Sequence, residues 1–201
     1  MTPKSDAPIM AFQTPEAWAR WLSAHHSRSE GIWVQFHKKA SGKPTITHAE
    51  ALDEALCYGW IDGQIKPHDH ESWLHKFTPR RARSVWSKRN TEHIARLTAA
   101  GRMKPAGLKE VEAAKASGRW QRAYASPRAM TVPEDFLKEL SKDKRAKAFF
   151  ATLDKANLYA IAWRLATAVK PETRKKRFDA LLAMLADGKS LHPRAAAPKR
   201  R

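Results

Sequence analysis

Cysteine is almost missing from this chain: Cys57 stands alone among 201 residues. One thiol excludes an internal disulfide and fits a reducing compartment. Long apolar runs are missing too, so no segment reads as a transmembrane helix. The opening stretch MTPKSDAPIMAF has one lysine and no apolar core of the length export needs, so no signal peptide is expected. These features place the chain in the cytoplasm. Acids are scarce, with 20 Asp and Glu against 38 Lys and Arg, a net charge of +18. The sequence shows no Ser/His/Asp arrangement, phosphate-cradling glycine loop, dinucleotide fingerprint or HExxH pattern. No cofactor is therefore expected, and no catalytic residue can be assigned.

Apolar side chains are plentiful, at 42% with eight tryptophans and seven phenylalanines. That suffices for a packed interior and excludes a disordered chain. A charge of +18 attracts polyanions, although it speaks to solubility and steering rather than to fold. Four of those positive charges lie in the tail, at Arg194, Lys199, Arg200 and Arg201.

Local chemistry outlines the elements. Residues 1–11 read as a loose arm. Thr14 caps a helix with Pro15 in its first turn, and Trp18, Trp21, Leu22 and His25 share one face. GIWVQFHKK alternates as a strand, with Ile32, Val34 and Phe36 opposite Trp33, Gln35 and His37. Thr47 and Glu50 form a capping box, Leu52, Ala55 and Leu56 face inward, and Gly59 stops that helix. WIDGQIK then alternates, with Ile61, Gly63 and Ile65 on one side and Trp60, Asp62, Gln64 and Lys66 on the other, outer side. Close packing of the strand on a helix accounts for Gly63. PHDHE turns the chain, and SWLHKFT returns as an antiparallel strand.

Beyond Pro79 the pattern is helical: about Ser87 to Gly101, then Pro105 to Gly118, then three or four helices after SPRAMTVP. Leu158, Ile161, Ala162, Leu165 and Val169 keep helical spacing, as do Phe178, Leu181, Leu182 and Leu185. The expected class is α+β, a small antiparallel sheet of at least three strands flanked by helices and followed by a helical lobe. The expected divisions are an arm at 1–11, an α+β lobe at 12–125, a linker at 126–133, a helical lobe at 134–193 and a basic tail at 194–201.

Four stretches carry a family resemblance: EALCYGWIDGQ, KFTPRRARSVWSKRN, GRMKPAGLKEVEAAKASGRW, and the long segment from FFATLDKANLYAIAW to GKSLHP. Together they resemble the YdeI/OmpD-associated family, from about Phe12 to Pro193. The resemblance implies a YjbR/CyaY-like N-terminal part, a small antiparallel sheet flanked by helices. The family names refer to bacteriocin protection and to association with an outer-membrane porin, which implies an envelope-stress protein partner. No agreed catalytic residues come with the family, and fold alone carries no function.

Two neighbouring segments make the candidate site. In CYGWIDGQ, Trp60 offers a stacking surface, Gln64 shares its face, and Asp62 is placed to orient Arg80 or Arg81. The alternative is a structural ion pair beneath a packed tryptophan. Lys76 to Arg89 holds six basic residues and no acid, with Phe77 and Trp86 interleaved. There Lys76, Arg80, Arg81, Arg83 and Lys88, with Ser84 or Ser87 opening a helix, suit a phosphate, a carboxylate or a nucleic-acid strand. A solvated loop with its aromatics in the core is the competing account.

No metal is expected. His68, Asp69 and His70, with His75 nearby, supply ligand types, but a turn fixes two at most. Cys57 reads as a buried, inert thiol. The run Arg174 to Arg177 spreads around its helix as a solvated face, without a helix-turn-helix pattern. The leading expectation is a non-catalytic protein that binds an anionic ligand: nucleic acid, a phosphorylated metabolite or an acidic protein surface. An enzyme with a pocket around Trp60, Asp62 and Arg80 is the runner-up. A third reading, an adaptor docking through the C-terminal helices, predicts an exposed apolar patch on them.

Overall fold

The computed structural model describes residues 7–126 and 129–193. Within them the fold is α+β: a four-stranded, mostly antiparallel sheet, and eight α-helices of which the last four follow one another at the C-terminal end. The chain divides into two compact units, Met1–Ala123 and Tyr124–Arg201. The expected linker at 126–133 falls partly outside the described residues, at 127 and 128, as do the first part of the expected arm and all of the tail.

In the first unit, β1 (Ile9–Ala11) runs parallel to β2 (Ile32–His37), β2 pairs antiparallel with β4 (Ser72–Pro79), and β4 pairs antiparallel with β3 (Trp60–Pro67). The sheet order is therefore β1-β2-β4-β3. Ile9 to Ala11 are an edge strand rather than loose arm. Three residues are too few for alternation to reveal them.

Helix α1 (Pro15–His25) starts where Thr14 accepts from the Ala17 amide, at 3.3 Å. Helix α2 (His48–Cys57) begins with the full capping box of Thr47 and Glu50. Both cover one sheet face. Trp18, Leu22, Ala51 and Ala55 pack there against Ile32, Val34, Phe36, Trp60 and Phe77. The Trp18 indole N–H donates to the Ala51 carbonyl at 3.0 Å, which locks α1 to α2. The opposite side of α2 meets α3 (Lys88–Ala99) and α4 (Pro105–Ala116) in a second core, through Leu52, Leu56, Ile94, Leu97 and Val111. Helix α2 is thus buried on two sides, and Leu52 and Ala55 serve different cores.

The second unit holds α5 (Glu134–Leu140), α6 (Lys144–Phe150), α7 (Lys155–Ala166) and α8 (Pro171–Ala186) around Phe136, Ile161, Leu165 and Leu185. Val169, expected on the apolar face of α7, is instead exposed beyond its end. Pro171 opens α8, and a residue ahead of proline is pushed out of helical conformation, so the chain leaves α7 early. Among the described residues no helix is long and apolar enough to cross a membrane.

Candidate functional site

A β-bulge decides where the WIDGQIK side chains point. Asp62 pairs with Phe77 and Ile65 pairs with His75, so β3 spends three steps where β4 spends two. The extra residue reverses the alternation. Asp62 and Ile65 share a face despite their odd spacing, while Lys66 crosses to the other. There Lys66 lies 4.3 Å above the Trp33 ring, with Lys76 at 5.5 Å. Gln64 sits in the bulge, exposed. Gly63 is exposed as well, and a methyl group added there would meet no helix, only the Lys76 carbonyl oxygen at 3.5 Å, so helix packing does not explain it.

Trp60 is not an outward platform. It is 1% exposed, edge-on to Trp18 and Trp21, and its indole N–H donates to the His26 carbonyl at 3.1 Å. Alternation placed it correctly beside Asp62, but that face is the one α1 covers.

Among the described residues Asp62 pairs with two histidines and with no arginine. Its carboxylate lies 3.2 Å from His48 Nε2 and 3.7 Å from His75 Nε2. Burial pushes the carboxyl up, but the His48 hydrogen bond and the charges of the two imidazoles outweigh it and hold Asp62 below the usual carboxylate range. Burial, reinforced by His48, holds His75 below its ordinary value. The two rings stack with centroids 4.6 Å apart and planes within 7°. His75 also reaches the Gly63 carbonyl through Nε2 at 3.2 Å.

The basic segment divides between interior and surface. Arg80 is 7% exposed, its guanidinium 3.5 Å from the Trp86 ring centroid and its Nη1 donating to the Val85 carbonyl at 3.4 Å. Trp86 is buried against Trp120. The two residues are a core pair, and Trp60 and Arg80 are both buried side chains rather than open surface. Ser87 caps α3 by accepting from the Asn90 amide at 3.1 Å, and Ser84 closes the preceding turn by accepting from the Arg81 amide at 3.1 Å. Arg81, Arg83, Lys88 and Arg89 are exposed, and none has an ion-pair partner among the described residues.

Beside His48 opens a cleft of about 520 Å³. Phe36 and Trp73, stacked 4.5 Å apart, form its apolar part, and His37, Lys39, Lys43 and His48 supply polar edges. Lys43 is held by Glu71 at 2.6 Å. Sequence reading passed over this cleft because its residues come from a strand, a turn, a helix start and a returning strand. The signal within reach was the cluster of His37, Lys38, Lys39, Lys43 and His48 around the SGKP turn.

His48, Asp62 and His75 bring one ligand atom each within 4.8 Å of one another. His68 and His70 do not join them and remain exposed on the hairpin turn. Cys57 is buried, and burial chiefly pushes its thiol up to about 11.

Two family models match the chain. Residues 10–110 match a domain of unknown function (DUF8412), and residues 129–188 match the family described as bacteriocin-protection, YdeI or OmpD-associated. No curated protein and no solved structure matches. The YdeI/OmpD-associated match covers the C-terminal helices, while the sheet unit answers to a different model. The chain therefore belongs, over half its length, to the family of that domain of unknown function, and it carries a YdeI/OmpD-associated domain behind it.

Proposed function

We propose that this is a cytoplasmic, non-catalytic binding protein whose N-terminal unit captures an anionic partner through the segment between β4 and α3. The observation that carries this reading is the exposed set of Arg81 and Arg83 in the turn before α3 and Lys88 and Arg89 in its first turn, four cations without an acidic partner among the described residues. Helix starts and arginine forks both favour phosphate and carboxylate oxygens. The net charge of +18 adds long-range attraction for a polyanion. The description of the C-terminal family, bacteriocin protection and OmpD association, supports extending the reading to bacteriocin or antimicrobial-peptide tolerance with an envelope-stress protein partner. The sheet-and-helix arrangement of the N-terminal unit suits a YjbR/CyaY-like relationship.

Retention on heparin and affinity for a short DNA duplex, each measured across a salt series, test the proposal. The protein lacking Arg194 to Arg201 is compared with the same protein carrying Arg81→Ala, Arg83→Ala and Lys88→Ala together. Each lost phosphate contact should flatten the log–log salt slope by about 0.9. An unchanged slope and affinity would overturn the assignment.

A further inference from the structure

His48 opens α2, Asp62 precedes the bulge in β3, and His75 lies in the middle of β4. Three elements thus deliver two imidazoles and one carboxylate to a single point, with all three ligand atoms within 4.8 Å. We propose that these residues form a binding site for a divalent transition-metal ion of the zinc, nickel or cobalt type.

Ligand chemistry sets the choice of ion. Two nitrogens and one oxygen suit borderline first-row ions, whereas calcium and magnesium demand oxygen donors. Three protein ligands also leave at least one coordination position open. His48 lines the 520 Å³ cleft, so the open position faces a space that water or a small anion can enter.

The burial of His75 is the independent observation. Its side chain is 4% exposed and packs among Phe36, Trp73 and Phe77. Its Nδ1 is buried without a hydrogen-bond partner among the described residues, while Nε2 turns toward Asp62 and the Gly63 carbonyl. A histidine kept only for packing would be replaced at less cost by an apolar ring, because an unsatisfied buried polar atom is destabilising. The ring is held with its bonding nitrogen toward the carboxylate, as a ligand must be.

The stacked pair adds a constraint. The two imidazoles stack with centroids 4.6 Å apart. An ion lies near the plane of each ring it binds, so parallel rings must open to share one. His48 is able to turn, being 29% exposed at a helix start, whereas His75 is fixed by its packing. Binding also displaces the hydrogen bond from His75 to Gly63.

Metal-stripped full-length protein is titrated with zinc, nickel and cobalt salts, following heat of binding, the melting temperature and the visible absorption of cobalt. The expected result is one ion per chain, a raised melting temperature, and cobalt bands of a four- or five-coordinate site. His48→Ala, at a partly exposed position, should weaken binding by more than the roughly 10–100-fold that loss of an outer-shell partner costs. Asp62→Asn should do the same, and the doubly substituted His68→Ala, His70→Ala protein should bind as the parent does. No stoichiometric binding by the parent would overturn the site. So would binding that survives in both His48→Ala and Asp62→Asn and disappears in the His68, His70 variant. Neither result touches the anion-binding reading, which rests on Arg81, Arg83, Lys88 and Arg89.

Discussion

Replacing Arg80 by alanine separates a structural arginine from a ligand-binding one. The guanidinium lies flat on Trp86 at 3.5 Å and the residue is 7% exposed, so the variant removes a desolvated cation–π contact and two buried methylenes. The contact is worth about 2 kcal/mol when desolvated, and the methylenes add about 0.8 kcal/mol each. Returning the cost of burying the charge offsets part of this, which leaves a net loss of about 2–3 kcal/mol. Arg80→Lys keeps the charge and stem but loses the planar stack, so it should fall between parent and alanine. Urea unfolding is the assay: the midpoint should drop with the slope unchanged. Heparin retention of the folded variants should stay at the parent level. An Arg80→Ala protein as stable as the parent, with its retention lost, would refute the reasoning, because Arg80 would then be reaching a ligand instead of Trp86.

A methyl group at Gly107 would stand 2.8 Å from the Leu56 carbonyl oxygen and closer still to that of Cys57, both rigid backbone. Gly107→Ala should therefore destabilise by about 1–3 kcal/mol despite alanine's better helix propensity, read from the same urea curves. Gly188→Ala meets nothing within 4 Å and should cost only the strain of a left-handed residue, about 1–2 kcal/mol. Asp53 accepts from Arg96 and His93, and these bonds overcome burial to hold its carboxyl below the ordinary value. Its stabilising contribution is present above the unfolded carboxyl value near about 4 and is lost as pH falls through the lower folded value; Asp53→Asn should flatten the acid limb of stability against pH. Cys57, its thiol pushed up to about 11, should resist a thiol reagent at pH 8 in native protein and react after unfolding.

Signals carried within a few residues were legible in the sequence. The capping box of Thr47 and Glu50, the cap at Thr14, and the stops at Gly59, Gly101 and Gly118 each depend on neighbours in the chain, and each stands in the structure. The hairpin of β3 and β4 was legible for the same reason. What escaped depends on one residue or on distance. A single extra residue between Asp62 and Ile65 sends Lys66 to the far face, and alternation cannot anticipate it. Arg80 looked like surface because arginine is seldom buried, yet Trp86 five places beyond Arg81 folds back beneath it. His48 and Asp62 are 14 residues apart, and only the closed hairpin and the seating of α2 bring His75 to both.

The strand order leaves β1 and β3 as the outer rails of the sheet. An open rail invites another backbone to pair with it, which is how folded proteins seed aggregates. Here one rail is only three residues long. The other is bent by its bulge, carries Lys66, and ends in Pro67, which has no amide to donate. A peptide offered as a fifth strand finds no continuous ladder on either side. Both edges are thereby guarded against extension of the sheet by another strand.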